Sequence, residues 1–347
     1  MGLTVYIPCF NAEPHIATSI RCLLSQTRPP DEILVIDDGS TDRSFEIASQ
    51  FPVRLIRHER NRGLAAARNT AFANAKFDLV GAIDADVFAE AEWLELLLAH
   101  FVDERVVGTG GRLIEQFRDT PPDAWRALHL CQDLGETRID IEWPSHRCLG
   151  GFGNILRKSA VEQIGGYNES YRTNYEDVDM CRRLVRAGHK LIFEPLAVAR
   201  HQRRDSVRSI VRTAWRWEFY AHYFHGGYNN LWLKLLFNFR FARGLAWQHI
   251  RMGRPSLLAI DARLPWVHSV MDLQYYFSTA RLPNWAASPE LSAVYWPRPF
   301  RCVVKGGSSP SGGGAQFDDR DDRSNEALKQ NVTSTCGAPI HPPGTRR

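Results

Sequence analysis

The chain has 347 residues, of which 44% are hydrophobic and 11% aromatic, and its formal net charge at pH 7 is +4. This apolar content can fill one large core or two smaller ones, so the composition excludes a chain that is disordered throughout. The 43 Lys and Arg residues nearly balance the 39 Asp and Glu residues. The charge alone therefore does not indicate a nucleic-acid partner, and it suits an anionic ligand or a phospholipid surface equally well.

The cysteines and the apolar segments indicate the compartment. Seven scattered cysteines without a CxxC spacing fit neither a disulfide framework nor a zinc site, which favours a reducing cytoplasm. The opening "LTVYIPCFN" lacks a basic segment followed by a long apolar one, so no signal peptide is predicted. Lys234, Arg240 and Arg243 interrupt the most apolar long window, residues 231–250, and we expect no membrane-spanning helix.

Strands and helices are predicted to alternate from the start of the chain. The runs "LTVYIP", "EILVIDD", "VRLIRH" and "LVGAID" are typical of strands, and "NAEPHIATSIRCLLSQT", "STDRSFEIASQF" and "GLAAARNTAFANA" between them have helical spacing. This alternation predicts an α/β fold with a mostly parallel sheet flanked by helices. Ligands of such sheets bind at the carboxyl ends of the strands, where residues 8–11, 37–40, 61–63 and 84–86 are placed.

The remainder of the chain divides by composition. A second region dense in motifs follows a predicted helix, "AEWLELLLAHF", and a predicted strand, "VVGTGGRLI". Helical patterns with interleaved aromatic and basic residues come next, and after about Lys305 the chain is rich in Gly, Ser and Pro, with too few apolar residues to offset ordering entropy. We predict a domain over 1–205 with halves 1–90 and 91–205, a helical extension over 206–304, and a disordered tail over 305–347.

Two carboxylates follow the strand "LVGAI". Asp84 and Asp86 are one residue apart, and alternating side chains of a strand point the same way, so both can converge on one cation. Hard oxygen ligands favour Mg²⁺ or Mn²⁺, and a metal held by two carboxylates keeps positions free for phosphate oxygens. The alternative is a solvated turn at the end of a strand.

Polar groups also end the neighbouring predicted strands. In "VIDDGSTD", Asp38 can accept hydrogen bonds from a nucleobase, or the segment is a loop in which Ser40 and Thr41 cap the next helix. In "NRGLAAARN", Asn61 and Gly63 stand at a helix entry that suits anions. Arg68, one turn further on, can reach a phosphate or a base, although arginines on helices are also common as surface charges.

These segments together resemble the nucleotide-sugar-binding half of family 2 glycosyltransferases, which have the Rossmann-like GT-A fold. The resemblance extends over about residues 3–201. It implies inverting transfer from a nucleotide-diphosphate sugar with Mn²⁺ or Mg²⁺. It assigns donor binding to Pro8, Phe10, Glu13, Asp38, Arg68 and Asp84. Asn61 and Gly63 at the helix entry complete the predicted donor site.

The second region resembles the acceptor half of the same family. In "CLGGFGNILRKSAVEQIGGYNESYRTNYEDVDMCRRLVRAGHKLIFEP", Asp177 matches the family's catalytic base and Glu176 is the fallback. Gly151 and Asn154 are implied sugar contacts, and His201 matches a histidine near the metal or diphosphate, completing a predicted metal set with Asp84 and Asp86. The alternative for Glu176 and Asp177 is a pair of charges that stabilise a helix N-terminus. The alternative for His201 is a surface or core histidine.

Departures from the family pattern narrow the prediction. Processive members have a QxxRW box and membrane helices, whereas "TAWRW" keeps Arg216 and Trp217 but has Thr213 in place of the glutamine. Transfer of a single sugar is therefore favoured. The aromatic and basic helices after residue 206 suit either an anionic lipid surface or, in the interpretation slightly favoured, packing over the acceptor side with the aromatics in the core.

The sequence thus predicts a metal-dependent glycosyltransferase that moves a sugar to a glycan or lipid-linked acceptor. It would act in the cytoplasm or at the inner face of the cell membrane, without a nucleic-acid partner. Two alternatives stay open. One is a polyprenyl-phosphate sugar transferase, which the acidic pair Glu176 and Asp177 argues against, and the other is a nucleotide-sugar-binding protein with an inactive site.

Overall fold

A computed structural model describes residues 1–130, 132–145, 147–223 and 231–279, with the backbone alone for residues 221–223 and 278–279. The predicted tail over 305–347 and the end of the predicted extension, residues 280–304, lie outside the described residues.

The first part of the chain alternates strands and helices, as predicted. Its elements are β1 (Leu3–Cys9), α1 (Ile16–Leu24), β2 (Glu32–Asp37), α2 (Ser44–Ala48), β3 (Arg54–Arg57), α3 (Leu64–Asn74) and β4 (Leu79–Ile83). Every residue of β1, β2 and β4 is buried, as in parallel strands that are covered on both faces. In α1, the buried residues Ile16, Ile20 and Leu23 recur at helical spacing, so this helix packs one face against the sheet.

The second part completes the sheet and adds the helical extension. Its sheet region contains β5 (Val87–Ala89), α4 (Trp93–Leu98), a 3₁₀ helix (Ala99–Val102), β6 (Val106–Glu115), α5 (Pro121–His129), β7 (Ile139–Ile141), β8 (Gly153–Arg157), α6 (Lys158–Gln163), α7 (Glu176–Arg186) and β9 (Lys190–His201). The extension contains α8 (Val207–Tyr223), α9 (Leu231–Arg251), a 3₁₀ helix (Pro255–Leu257), α10 (Leu258–Asp261) and α11 (Leu264–Thr279).

The described strands form one nine-stranded sheet with the order β3-β2-β1-β4-β8-β6-β9-β5, and β7 pairs with β9. The neighbours from β3 to β4 are parallel, as predicted for the first half. β8 runs antiparallel to both β4 and β6, and β5 and β7 run antiparallel to β9, whereas β6 is parallel to β9. The sheet is therefore mixed and not mostly parallel, because β8 enters between β4 and β6 in the opposite direction. The carboxyl ends of β1, β2 and β4 therefore share one edge of the sheet, which begins the candidate site.

The predicted capping of α2 by Ser40 or Thr41 is wrong. The helix begins at Ser44, and the residue at its N-cap, Arg43, makes no side-chain cap bond. The Ser40 hydroxyl instead accepts a hydrogen bond from the Asn11 backbone N–H at 3.0 Å. This hydroxyl fastens the loop after β1 to the loop after β2, which leaves it unavailable to the helix.

The extension has its own core, centred on Trp125 of α5 and Ile210, Leu245 and Ile260 of the later helices. The sequence favoured packing of the aromatic residues in a core. Trp217 and Phe241 do pack against this core, whereas Trp232 is 76% exposed, so the prediction is wrong for Trp232. No helix within the described residues has the combined length and apolarity required to cross a membrane.

Candidate active site

The two carboxylates after β4 lie where three strands come together. The Asp84 backbone N–H donates to the Phe152 carbonyl oxygen at 2.9 Å, which ties the end of β4 to the loop before β8. Asp86 precedes β5, whose first residue, Val87, pairs with His201 at the end of β9. The backbone therefore brings Asp84 beside the β8 loop and Asp86 beside His201, as the prediction of a shared site requires.

Asp84 and Asp86 have opposite electrostatic environments. Burial raises the pKa of Asp84 to about 6, with repulsion from Asp86 adding to the shift and Arg68 opposing it. Burial also acts to raise the pKa of Asp86, but the hydrogen bond and charge of His201 outweigh it, and the pKa is lowered. The two side chains remain 32% and 29% exposed, so both face a solvent-accessible edge.

Arg68 of α3 is the buried centre of the site. Its guanidinium donates from Nε to Glu176 Oε1 at 3.3 Å, from Nη1 to Tyr6 Oη at 3.1 Å, and from Nη2 to Asp84 Oδ1 at 3.4 Å. Burial would lower the pKa of Arg68, but Tyr6, Asp84 and Glu176 hold it well above its ordinary value. The surface-charge alternative for Arg68 is therefore wrong, because its side chain is 1% exposed.

Glu176 and Asp177, the acidic pair at the start of α7, have different surroundings. Glu176 is 3% exposed and faces Arg68. Burial, with repulsion from Asp177, raises the pKa of Glu176 against the attraction of Arg68, and Glu176 Oε2 has no hydrogen-bond partner among the described residues. Asp177 is half-buried, and its Oδ2 accepts from the Gly151 N–H at 2.7 Å. Asp177 is therefore the member of the pair that an incoming molecule can reach.

Gly151 is required by the close approach of two site residues. A Cβ at this position would lie 2.8 Å from Arg68 Nη2 and 3.1 Å from Asp177 Cβ. Asn154, the other predicted sugar contact, is buried on β8, and its amide donates to the Gly150 carbonyl at 3.1 Å. In this structure Asn154 thus positions the glycine loop, while its contact with a sugar stays a prediction.

His201 lies between Asp86 and Glu115. Its Nε2 is 3.3 Å from Asp86 Oδ2, and its Nδ1 is 3.0 Å from Glu115 Oε2. Burial would lower the pKa of His201, but hydrogen bonds to Asp86 and Glu115 outweigh it and raise the pKa to about 9. Glu115 and Tyr6 were not predicted from the sequence. The pairing of Glu115 with His201 across β6 and β9 identifies Glu115 only once the sheet order is known.

The donor set suits a metal held jointly with a ligand. The described residues contain no group of three or more His, Cys, Asp or Glu side chains arranged to hold a metal ion. Asp84 and Asp86 supply carboxylate oxygens at an accessible edge, which fits Mg²⁺ or Mn²⁺ with open positions for a diphosphate. His201 as a third ligand stays a prediction, because its Nε2 now faces Asp86 and its Nδ1 is fixed by Glu115.

The predicted base-binding acid, Asp38, organises the neighbouring loop. Asp38 Oδ1 accepts from the Arg62 N–H at 2.8 Å and lies 2.6 Å from His58 Nδ1, and Oδ2 accepts from the Gly63 N–H at 2.8 Å. Gly63 has φ +101, which favours glycine, and a Cβ there would lie 2.9 Å from the Arg172 carbonyl oxygen. Asp38 thus fixes the entry to α3, with the help of His58, which the sequence did not single out, and its binding of a nucleobase stays a prediction.

The other predicted donor contacts border the same edge. Phe10 is 48% exposed directly after β1, and Asn61 is exposed in the loop before α3. Glu13 is partly buried, and its Oε2 accepts from the Arg43 N–H at 3.2 Å. Pro8 is buried within β1, so its side chain shapes the strand end from inside. Donor binding by these four residues stays a prediction.

Comparisons with known proteins identify similar sequences. Residues 4–165 match the family model described as "Glycosyl transferase family 2". The chain is 32% identical over 211 residues to the pre-mycofactocin glycosyltransferase of Mycobacterium tuberculosis (strain ATCC 25618 / H37Rv), over 59% of this chain and 44% of that protein. The chain thus spans less than half the length of this relative. The match of residues 4–165 to this family of transferase enzymes confirms the resemblance seen in the motifs.

One solved structure supports the fold, and a second is reported for its partial similarity. S. aureus TarS 1-349 in complex with UDP-GlcNAc is similar with a TM-score of 0.50 and 17% identity, over 80% of this chain and 92% of that chain. The mannosyltransferase PcManGT from Pyrobaculum calidifontis, solved with GDP-Man and Mn²⁺, has a TM-score of 0.48 and 19% identity, over 81% of this chain and 76% of that chain. The prediction of a GT-A fold with a helical C-terminal extension is confirmed.

Proposed function

We propose that the chain transfers one sugar, with inversion, from a nucleotide-diphosphate sugar to a hydroxyl group of a glycan or glycolipid, and that the reaction depends on Mn²⁺ or Mg²⁺. The observation that supports this most is the grouping of three carboxylates at one edge of the sheet: Asp84 lies 3.4 Å from buried Arg68, and the charges of Asp86 and Asp177 both repel it. Three carboxylates that repel one another would be costly to keep together in an inactive binding protein.

The donor's diphosphate would bind through a divalent ion held by the carboxylates after β4. Asp84 and Asp86 would hold the divalent ion, which supports the negative charge of the departing diphosphate when it is bound. Arg68 holds Asp84 in place through its Nη2 at 3.4 Å. Exposed Phe10 and the loop organised by Asp38 are available to the nucleoside.

Asp177 is proposed as the general base. Its carboxylate is half-buried within the site, and hydrogen bonds from the Gly151 and Val178 N–H groups fix its orientation. The acceptor hydroxyl gives its proton to Asp177 as the hydroxyl oxygen bonds to the anomeric carbon, and the bond from that carbon to the diphosphate oxygen breaks on the opposite face. Glu176 serves Arg68 instead, because its side chain is buried against that guanidinium.

The test is a transfer assay with a panel of UDP-, GDP- and TDP-sugars, Mn²⁺ or Mg²⁺, and glycan and lipid-linked acceptors. Asp177→Asn should keep metal-dependent donor binding and lose transfer by at least about a hundredfold. Asp179→Asn is the matched control, because Asp179 lies on the same helix but pairs with Arg183 at 2.7 Å. Full transfer by Asp177→Asn would remove the base assignment, and a lipid-phosphate product would favour the polyprenyl-phosphate alternative.

A further inference from the structure

The helical extension exposes an apolar surface. We define the α9–α11 face by its exposed apolar side chains, which are Trp232, Leu233, Leu236, Phe239, Trp247, Ile250, Trp266, Val270 and Phe277. At about 100° per residue, the members of this set on α9 fall within an arc of about 120°, so they lie along one side of the helix. The Phe239 ring meets the Trp266 ring edge-on at 5.1 Å, which joins the two helices into one surface.

The opposite side of α9 faces the protein and is partly polar, because Asn238 and His249 are buried there beside Ala242 and Leu245. Asn238 and His249 are 1% and 0% exposed. Asn238 donates to Asp272 Oδ2 of α11 at 2.8 Å, and Lys234 forms an ion pair with Glu218 of α8. The helix therefore buries polar groups and exposes tryptophans, the reverse of a helix on a water-facing surface. A large exposed apolar surface of this kind marks a site of interaction.

The exposed charges beside this face are all positive. Five arginines between residues 231 and 279 are exposed: Arg240, Arg243, Arg251, Arg254 and Arg263. The two acidic residues of this segment, Asp261 and Asp272, are buried. The surface thus combines tryptophans and aliphatic side chains with cations and presents no exposed carboxylate over that segment.

We propose that the α9–α11 face docks on an anionic phospholipid bilayer, with its helices lying in the interface. Tryptophan is favoured at the level of the headgroups, apolar side chains enter the acyl boundary, and arginines attract anionic lipid. A symmetric dimer through the same face is opposed by charge, because it would bring exposed arginines together without exposed carboxylates to pair them. This inference concerns location and does not depend on the proposed sugar transfer.

The test is flotation of the full chain with vesicles of phosphatidylglycerol and phosphatidylcholine, compared with vesicles of phosphatidylcholine alone. The full chain should bind the anionic vesicles, and salt should weaken the binding. Trp232→Ser with Trp247→Ser should reduce binding by at least about tenfold, and Arg240→Gln with Arg243→Gln should remove the preference for anionic lipid. The controls are Val102→Ser with Leu196→Ser, which change side chains 82% and 71% exposed on the catalytic domain.

Each other outcome overturns the proposal. Absence of vesicle binding by the full chain, or binding that the tryptophan variants leave unchanged, excludes docking through this face. In that case, a dimer in sedimentation that the tryptophan variants dissociate would assign the face to a second copy. A monomer whose Tm the same variants lower would assign it to another part of the same chain. The same variants should keep the rise in Tm that a nucleotide diphosphate with metal produces, because they lie outside the candidate active site. This measurement tests the proposed function separately from vesicle binding.

Discussion

Arg68 Nε lies 3.3 Å from Glu176 Oε1, and both side chains are almost completely buried. One comes from α3 in the first half of the domain and the other from α7 in the second. The same guanidinium reaches Asp84 and Tyr6. This contact joins the predicted donor and acceptor halves at the place where the carboxylates of the candidate site meet.

Replacing Arg68 should therefore unfold the site as well as inactivate it. Arg68→Met leaves buried Glu176 without its cation, and loss of one partner of a buried ion pair typically costs about 3–5 kcal/mol. Urea denaturation measures the free energy of unfolding. The double variant Arg68→Met with Glu176→Met should recover part of that loss, since it removes both charges. A single variant as stable as the original chain would show that this contact contributes nothing to stability.

Gly151 should tolerate no side chain. In Gly151→Ala the new Cβ would lie 2.8 Å from Arg68 Nη2, so the arginine or the Asp177 carboxylate must move. Overpacking of this kind costs about 1–3 kcal/mol, and transfer activity should fall more than donor binding. Thermal denaturation and transfer assays check this. Gly244→Ala is the control, because a Cβ at that position on α9 meets nothing within 4 Å. It should preserve transfer and raise the Tm slightly, since alanine favours the helix more than glycine does.

The sequence predicted those parts of the site that depend on local pattern. The apolar runs located β1, β2 and β4, and a ligand edge follows from parallel strands, so Asp84, Asp86 and Arg68 could be placed together. The motif order located Asp177 beside them, and the structure brings its carboxylate to Gly151.

The features that the sequence did not predict depend on contacts between segments that are far apart in the chain. Glu115 ends a strand 86 residues before His201, and only the pairing of β6 with β9 joins them. His58 reaches Asp38 from the loop after the next strand, where its own sequence carries no signal. The orientation of α9 could not be predicted either, because both of its sides contain apolar residues and the buried polar partner, Asp272, lies on α11.

Glu115 should control the charge of His201. Because the Glu115 hydrogen bond and charge help to raise the pKa of His201 to about 9, Glu115→Gln should lower that pKa. An NMR titration of the imidazole in the metal-free protein measures it directly. Glu194→Gln removes the carboxylate of another buried pair, Glu194 with His100 at 2.9 Å, and should leave the His201 titration unchanged. An unchanged His201 titration in Glu115→Gln would exclude the conclusion that Glu115 controls the charge of His201.

A histidine pair between α5 and the extension should make stability sensitive to acid, because His129 is partly buried and His249 is fully buried. His129 Nε2 lies 2.7 Å from His249 Nε2, and His249 Nδ1 lies 2.6 Å from Asp261 Oδ2. If His249 Nδ1 donates to Asp261, its Nε2 accepts the proton of His129. Burial, with the neighbouring His249, lowers the pKa of His129 to about 3.

The sign follows from the unfolded chain, where an exposed histidine binds a proton below its ordinary pKa of about 6.5. His129 stays neutral in the folded protein until about pH 3, so the unfolded state gains the proton first and stability falls as pH drops between these values. At pH 5 the loss from His129 is about 2 kcal/mol. Urea denaturation at pH 7.5 and pH 5 should show a smaller loss in His129→Gln, and His189→Gln should not reduce it.

The most direct test of the whole account measures nucleotide binding at the edge formed by Asp84 and Asp86. UDP, GDP or TDP with Mn²⁺ should raise the Tm of the chain, and at a hundredfold excess over Kd the added stability is about 2.7 kcal/mol. The nucleotide without metal should give a much smaller rise, Asp86→Asn should abolish the metal-dependent part, and Asp119→Asn, which changes an exposed acid, should retain it. A shift of equal size without metal, or one that Asp86→Asn leaves intact, would contradict the assignment of these carboxylates to a divalent ion and a diphosphate.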